Sequence, residues 1–167
     1  MLIGGQAVLL HGDPRLTEDV DVTVGLGPGR WRDLIDACAD LGLEPLPDDV
    51  QRFVQTTFVL PAVDEAMGVR VDLIFSTTQY ETQAIQRAIR VEIGGERVPF
   101  ATAEDLIIHK LFAGRPRDLD DATSVVRRKG PELDWEYMRR WAEDFAQVEG
   151  REDLPARLEE LQDAGFA

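Results

Sequence analysis

The feature that most constrains this chain is the stretch TEDVDVTV, residues 17–24. Polar and apolar residues alternate along it and its valines are β-branched, so the pattern predicts a β-strand. Residues two apart in a strand project from the same face, which places Asp19 and Asp21 together and the valines on the other side. Two neighbouring carboxylates repel each other unless a positive charge lies between them. The stretch therefore indicates either a metal-binding face or a simple solvated face.

A third acid favours the metal-binding interpretation. Asp72 lies within VRVDLIF, the most apolar predicted strand, where an unpaired carboxylate would be costly. If this strand pairs beside residues 19–24, three carboxylates converge, enough to hold two divalent cations about 4 Å apart. Ligands that are all oxygen suit Mg²⁺ or Mn²⁺. Such a metal pair orients a nucleoside triphosphate for in-line phosphoryl transfer.

A glycine pair precedes the acids. Gly4 and Gly5 follow a short strand stub, MLI, and lead into a predicted helix over QAVLLH. The backbone N–H groups at such a turn suit phosphate, although most Gly-Gly pairs serve only as turns. The spacing from the pair to the acids favours a phosphate role here. Arg15, in the GDPR turn that follows, is a candidate phosphate contact, with a structural role as the alternative.

The remaining patterns predict a small mixed sheet followed by helices. TTFVLPAV and GVRVDLIFS are expected to be neighbouring strands, EPLPDD a loop, and RVEIGGERVPF a hairpin that turns at Gly94-Gly95. Capping boxes at Thr78 and Thr102 predict helix starts, and a further helix is expected to begin near Asp118. We therefore predict an α/β (α+β) fold, with residues 1–100 as its core and residues 101–167 as a helical C-terminal part packed on it.

Composition excludes several classes of protein. The net charge of −14 over 167 residues argues against broad, nonspecific nucleic-acid binding. The single cysteine, Cys38, excludes a disulfide framework and is expected to be a core residue. His11 and His109 lack a third ligand at a zinc-like spacing. No signal peptide is visible and no apolar run approaches the roughly 20 residues of a membrane span, so we expect a cytoplasmic protein.

These motifs together resemble a known superfamily. Gly4-Gly5, thirteen intervening residues and then DVDV resemble the signature of the DNA polymerase β-like nucleotidyltransferases, in which a third acid lies on a later strand. More narrowly, IGGQAVLLHGDPRLTEDVDV with EDLIIHKLFAGRPRDLDDA is similar to the AbiEii/AbiGii abortive-infection toxin-type nucleotidyltransferases. The resemblance covers roughly residues 3–125. It implies a minimal nucleotidyltransferase fold, a small mixed sheet flanked by helices.

The resemblance also implies an activity, a set of partners and a set of site residues. The activity is transfer of a nucleoside monophosphate from an NTP to an RNA (tRNA) or protein acceptor, with Mg²⁺ or Mn²⁺, in the toxin of a toxin–antitoxin system. An antitoxin would then be a partner. The implied catalytic residues are Asp19, Asp21 and Asp72, which also bind the metals, and Lys110. The nucleotide-binding residues expected from the resemblance and from the GDPR turn are Gly4, Gly5, Arg15, Lys110, Asp118 and Asp121. Lys110 would pair with phosphate charge as a mobile cation.

The chain departs from the family pattern in two places. Members usually have a helix and a full strand before the glycine pair, whereas only three residues precede it here. Either the start is truncated or the sheet is completed differently, for example by another subunit in a homodimer. The spacing from Lys110 to the later acids is also short. Asp118 and Asp121 have two equal interpretations, as dipole-favoured acids at a helix start or as partners of Lys110 or Arg115 near the nucleotide.

Two other classes of protein stay open. One is a noncatalytic nucleotidyltransferase-fold module that binds or regulates but does not turn over. The other is an interaction protein whose acidic face docks a basic partner. An apolar or salt-bridged environment around Asp72, without a cleft, would favour the interaction protein.

Overall fold

The computed structural model of the protein describes residues 1–165, so the last two residues of the predicted C-terminal part lie outside that range. The chain divides into two compact units. Unit 1 comprises Met1–Gln6 and Leu16–Phe100, and unit 2 comprises Ala7–Arg15 and the chain from Ala101 onward. The predicted division into residues 1–100 and 101–167 stays a prediction. Helix α1 (Gly4–His11) contains the point where the chain passes from one unit to the other.

The rest of unit 1 alternates strands and helices. Its further elements, in chain order, are β1 (Asp19–Val24), α2 (Trp31–Leu41), β2 (Leu43–Pro45), α3 (Val50–Thr57), β3 (Val59–Asp64), β4 (Val69–Phe75), α4 (Gln79–Arg87), β5 (Ile89–Ile93) and β6 (Glu96–Phe100). The mixed sheet has the strand order β1-β4-β3-β2, in which β1 is parallel to β4 and the other pairs are antiparallel. The mixed sheet flanked by helices confirms the predicted fold class. β5 and β6 form the hairpin predicted at Gly94-Gly95.

The three residues before the glycine pair take part in the pairing of unit 1. Leu2 bridges Val22 of β1 on one side and Phe100 of β6 on the other. Its N–H donates to the Pro99 carbonyl at 2.7 Å, and the Ile3 N–H donates to the Asp21 carbonyl at 3.0 Å. The strand stub predicted from MLI is therefore reduced to bridges at Leu2, which hold the start of α1 against β1.

One face of the mixed sheet forms the core of unit 1. Residues from β1, β3 and β4 pack there against α2 and α3, and the buried members are Leu34, Cys38, Val54, Leu60, Ala62, Leu73 and Phe75. Cys38 is thus the core residue that its helical spacing predicted. Val22 and Val24 pack against this cluster, so the valine side of β1 faces the core. The alternation of β1 then requires Asp19 and Asp21 to project from the opposite face.

The loop prediction for EPLPDD was wrong at its start. Leu43–Pro45 forms the short edge strand β2, antiparallel to β3. Three residues are too few to show an alternating pattern, and proline is tolerated in strands at an edge. The strand therefore depends on pairing with β3, which local sequence does not reveal.

Unit 2 is helical in its later part. Its helices are α5 (Ala103–Ala113), α6 (Pro116–Lys129), α7 (Trp135–Phe145) and α8 (Leu154–Gly165). As predicted, Thr102 caps α5, and its hydroxyl accepts from the Asp105 N–H at 3.1 Å. The fully buried Asp105 carboxylate accepts from the Tyr137 hydroxyl at 2.6 Å, which ties α5 to α7. Across the described residues, none of the helices combines the length and the apolar character that crossing a membrane requires.

Candidate metal centre

The parallel pairing of β1 with β4 brings the predicted acids together. Asp21 and Asp72 are register partners, and Asp19 is two residues earlier on the same face of β1. One carboxylate oxygen from each of Asp19, Asp21 and Asp72 can be chosen so that all three lie within 4.8 Å of one another. All three residues are half-buried. A single cation can therefore contact more than one of these carboxylates.

Gly4 makes room for one of these carboxylates. A Cβ atom added at Gly4 would lie 1.9 Å from Asp21 Oδ2, far inside van der Waals contact. The residue also has a φ of +56°, a left-handed conformation that side chains other than glycine's rarely adopt. Glycine is required here for two independent reasons, and one of them is the position of a predicted metal ligand.

Gly5 and Thr17 form a second close approach. The Thr17 hydroxyl lies 3.1 Å from Asp19 Oδ1 and donates to that carboxylate or, at 3.2 Å, to the Asp19 carbonyl. A Cβ atom at Gly5 would lie 2.4 Å from this hydroxyl. Thr17 therefore helps orient Asp19, a role that the sequence reasoning missed. Its position two residues before Asp19, on the same face of an extended segment, could have indicated this role.

A guanidinium group also lies at the triad. Arg70 Nε donates to Asp72 Oδ1 at 2.9 Å, and its Nη2 donates to Oδ2 at 3.2 Å. The hydrogen bond with Asp72 and the charge of that carboxylate, followed by the charges of Asp19 and Asp21, raise the pKa of Arg70. The sequence reasoning missed this residue, although its position two before Asp72 on the same strand face was visible.

The donor set suits a hard divalent cation. Three carboxylates and one guanidinium sum to a formal charge of −2, which a divalent ion would neutralise. Oxygen ligands without nitrogen or sulfur match the preferences of Mg²⁺ and Mn²⁺. A cation at this position would share the three carboxylates with Arg70, which donates to Asp72.

The other predicted site residues form a separate network within unit 2. Lys110 Nζ lies 2.8 Å from Asp118 Oδ1 and 2.8 Å from Asp121 Oδ2. Arg15 donates to both oxygens of Asp121, each at 2.8 Å, and Arg115 donates to Asp118. The Lys110 side chain is only 8% exposed. The structure thus brings Arg15, Lys110, Asp118 and Asp121 together as an ionic cluster in which Arg15 is half-buried and the other three residues are buried.

This cluster is held ionised by its own partners. Burial alone would raise the pKa of Asp118, but hydrogen bonds from Arg115 and Lys110 outweigh it, and the pKa is lowered. Burial likewise opposes hydrogen bonds from Arg15 and Lys110 at Asp121, whose pKa is also lowered. The ammonium of Lys110 is fixed between two carboxylates. Its predicted phosphate contact stays a prediction.

Two further polar residues, His11 and Arg128, have structural contacts in unit 2. His11 is 5% exposed, and its Nε2 donates to the Ala101 carbonyl at 2.8 Å. Burial lowers the pKa of His11 more than this hydrogen bond raises it. Arg128, from the basic run at 127–129, donates to the Gly12 carbonyl. These contacts give His11 and Arg128 structural roles within unit 2.

The fold and the acidic triad define a nucleotidyltransferase-like class of protein. Comparison with family models shows that the chain belongs to the family described as "Nucleotidyltransferase of unknown function (DUF6036)", which matches residues 1–159. The superfamily expected from the sequence is therefore confirmed, while the match does not extend to the AbiEii/AbiGii subtype.

The fold also has a solved counterpart. A crystal structure of an antigenic nucleotidyltransferase-like protein from Paracoccidioides brasiliensis superimposes with a TM-score of 0.56 and 21% sequence identity. The match covers 99% of this chain and 83% of that one, and it supports the likeness of fold alone. A search of curated proteins gave no match.

Proposed function

We propose that this protein is a metal-dependent nucleotidyltransferase that transfers a nucleoside monophosphate from an NTP to an RNA (tRNA) or protein acceptor. The observation that supports this most strongly is the convergence of Asp19, Asp21 and Asp72 beside the glycine turn. Membership of a nucleotidyltransferase family makes such chemistry the first expectation for this triad.

The site residues of unit 1 would bind either the metal or the triphosphate. Asp19 and Asp21 would hold Mg²⁺ or Mn²⁺, with Asp72 as third ligand and candidate base. The bound cation would neutralise the triphosphate charge and align it with the attacking group. The first backbone N–H groups of α1, at Gly4 and Gly5, lack partners within their own helix and are suited to phosphate oxygens.

The roles proposed for unit 2 depend on the resemblance of EDLIIHKLFAGRPRDLDDA to toxin-type members. On that basis Arg15, Lys110, Asp118 and Asp121 would contribute to nucleotide binding. Lys110 would do so as part of a fixed ionic cluster and not as the mobile cation first expected. The same resemblance supports a cytoplasmic toxin with an antitoxin partner.

One observation favours a second candidate, a noncatalytic binding or regulatory module of the same fold. Arg70 already supplies a positive charge to Asp72 through two hydrogen bonds. Because this arginine neutralises part of the charge of the triad, less positive charge is required from a bound metal. The same ion pair is the salt-bridged environment of Asp72 that an interaction protein would have.

Calorimetric titration of an NTP, with and without Mn²⁺, tests the metal-dependent site. The wild type is compared with the near-isosteric double variant Asp19→Asn/Asp21→Asn. Glu44→Gln on the edge strand β2 is the control, since its exposed carboxylate lies outside the triad. We expect Mn²⁺-dependent NTP binding in the wild type and in the control, and none in the double variant.

Incubation with labelled NTPs and total RNA or protein then separates the candidates. Label transfer that Asp19→Asn abolishes supports the enzyme. Metal-dependent binding without transfer to either acceptor supports the noncatalytic module. If the wild type and the double variant bind NTP alike, the proposed site is wrong.

A further inference from the structure

Strand β5 has an unpaired edge. It forms a ribbon with β6, and the described part of the chain holds no strand on its other side. Four of its five residues are exposed, and Ile89 and Ile93 are 40% and 50% exposed. An open edge with apolar side chains is a template for pairing with another strand.

The register of the ribbon shows which backbone groups point outward. The Pro99 carbonyl of β6 accepts from the Leu2 N–H, so it points away from β5. Arg90 is the register partner of Pro99, and this pair is therefore a non-hydrogen-bonded pair of the ribbon. The N–H and C=O groups of Arg90, and by alternation those of Glu92, point out from the free edge. The backbone N–H and C=O groups of the other three residues, Ile89, Val91 and Ile93, point toward β6.

The sequence of this edge is complementary to itself. If two copies of β5 run antiparallel about a two-fold axis at Val91, Arg90 lies opposite the partner's Glu92, and Glu92 opposite the partner's Arg90. Both of these positions have outward-pointing backbone groups, so they form the hydrogen-bonded pairs of the new ladder. Opposite charges directly across an antiparallel pair are stabilising.

The apolar residues match in the same register. Ile89 lies opposite the partner's Ile93, and Val91 opposite the partner's Val91, all on the face away from the charges. The exposed isoleucines thereby gain apolar neighbours. In the described residues no ion pair within the chain engages Arg90 or Glu92, so both charges are available.

We propose that β5 is a homodimerisation edge, at which a second copy of this chain adds its own β5 antiparallel across a two-fold axis. The partner is a second copy of this chain because the sequence Arg-Val-Glu, when paired antiparallel with itself, places each arginine opposite a glutamate. A shift of the register by one residue would place apolar side chains on the charged face. The proposal is independent of the proposed enzymatic activity.

The dimer is expected to be weak. Five residues per partner are few compared with the roughly 20–30 residues a side of a stable interface. Self-association should therefore depend on protein concentration. Sedimentation velocity over a concentration series measures it on the full chain.

Charge exchange provides the decisive variants. Arg90→Glu alone places two pairs of acids across the two-fold axis, and Glu92→Arg alone places two pairs of arginines there. Each single variant is expected to self-associate at least about tenfold more weakly than the wild type, since like charges directly opposite each other repel. An equimolar mixture of the two variants restores opposite charges at both positions, and so does the double variant Arg90→Glu/Glu92→Arg.

The mixture also controls for folding, because it can dimerise only if both variants are folded. This matters because Glu92→Arg sets an arginine opposite Arg97 within the ribbon. Recovery of dimers in the mixture, and not in either variant alone, supports the proposal. A wild type that is monomeric at every concentration overturns it, and so does a dimer that Arg90→Glu leaves unchanged.

Discussion

Replacing Gly4 by alanine should weaken metal-dependent NTP binding by more than its effect on folding stability explains. At a φ of +56°, a residue with a side chain is strained by about 1–2 kcal/mol. In addition, the new Cβ would lie 1.9 Å from Asp21 Oδ2. To reach a separation of 3.0 Å, that oxygen must retreat by 1.1 Å, the difference between the two distances. Functional groups tolerate displacements of only about 0.5 Å, so the carboxylate should leave its binding position.

Gly68→Ala is the matched control. Gly68 lies between β3 and β4 with a φ of +65°, and nothing lies within 4 Å of the position of its Cβ. The control therefore carries the backbone strain without the crowding. Both variants should lose about 1–2 kcal/mol of unfolding free energy, or roughly 2–8 °C in Tm at about 2–4 °C per kcal/mol.

Metal binding should distinguish the two variants. Displacing a ligand by 1.1 Å is expected to weaken Mn²⁺-dependent NTP binding by about 10- to 100-fold in Gly4→Ala, as for lost ligand positioning elsewhere. Gly68→Ala should bind like the wild type. Thermal unfolding and calorimetric titration measure the two effects separately. Unchanged metal-dependent binding in Gly4→Ala, or an equal loss in Gly68→Ala, would show that the contact between position 4 and Asp21 does not control the metal site.

Three further predictions concern unit 2. Lys110→Met should lower the unfolding free energy in urea by about 3 kcal/mol, because it leaves Asp118 and Asp121 buried with one fewer cation; a loss below about 1 kcal/mol would contradict this. The pKa values of Asp118 and Asp121 are lowered below 3.8, so their stabilisation is fully present above the unfolded value and is lost as the pH falls through the lower folded values. Urea denaturation from pH 6 to pH 3 should show the beginning of this loss, and Asp121→Asn should reduce the pH dependence. Tyr137→Phe should cost about 1–3 kcal/mol in the same assay by leaving a buried oxygen of Asp105 without this donor, and a neutral effect would contradict that.

The grouping of the acids could be predicted from the sequence because strand geometry is regular. Alternation in TEDVDVTV fixed the face of Asp19 and Asp21, and the apolar strand around Asp72 required a partner for its carboxylate. The parallel register of β1 and β4 then brought all three together. Two-residue periodicity and the cost of a buried charge predicted which acids could converge, whereas the pairing of β1 with β4 and its register are tertiary features.

Other features of the site depend on distances that sequence does not contain. The pairing of Arg70 with Asp72 depends on the rotamers of both side chains, and the close approach of Gly4 to Asp21 depends on how the turn lies on β1. Lys110 appeared to be a mobile cation because lysine is flexible and mostly exposed. Its burial between Asp118 and Asp121 arises from the packing of α5 against α6.

We propose that Asp19, Asp21 and Asp72 hold a divalent cation. Crystals of the protein soaked with Mn²⁺ and a nonhydrolysable NTP test it most directly, through anomalous scattering from manganese. We expect an anomalous peak in contact with carboxylate oxygens of Asp19 and Asp21, with the triphosphate beside Gly4. Nucleotide bound elsewhere, or no manganese at the triad while Arg70 stays on Asp72, would contradict it.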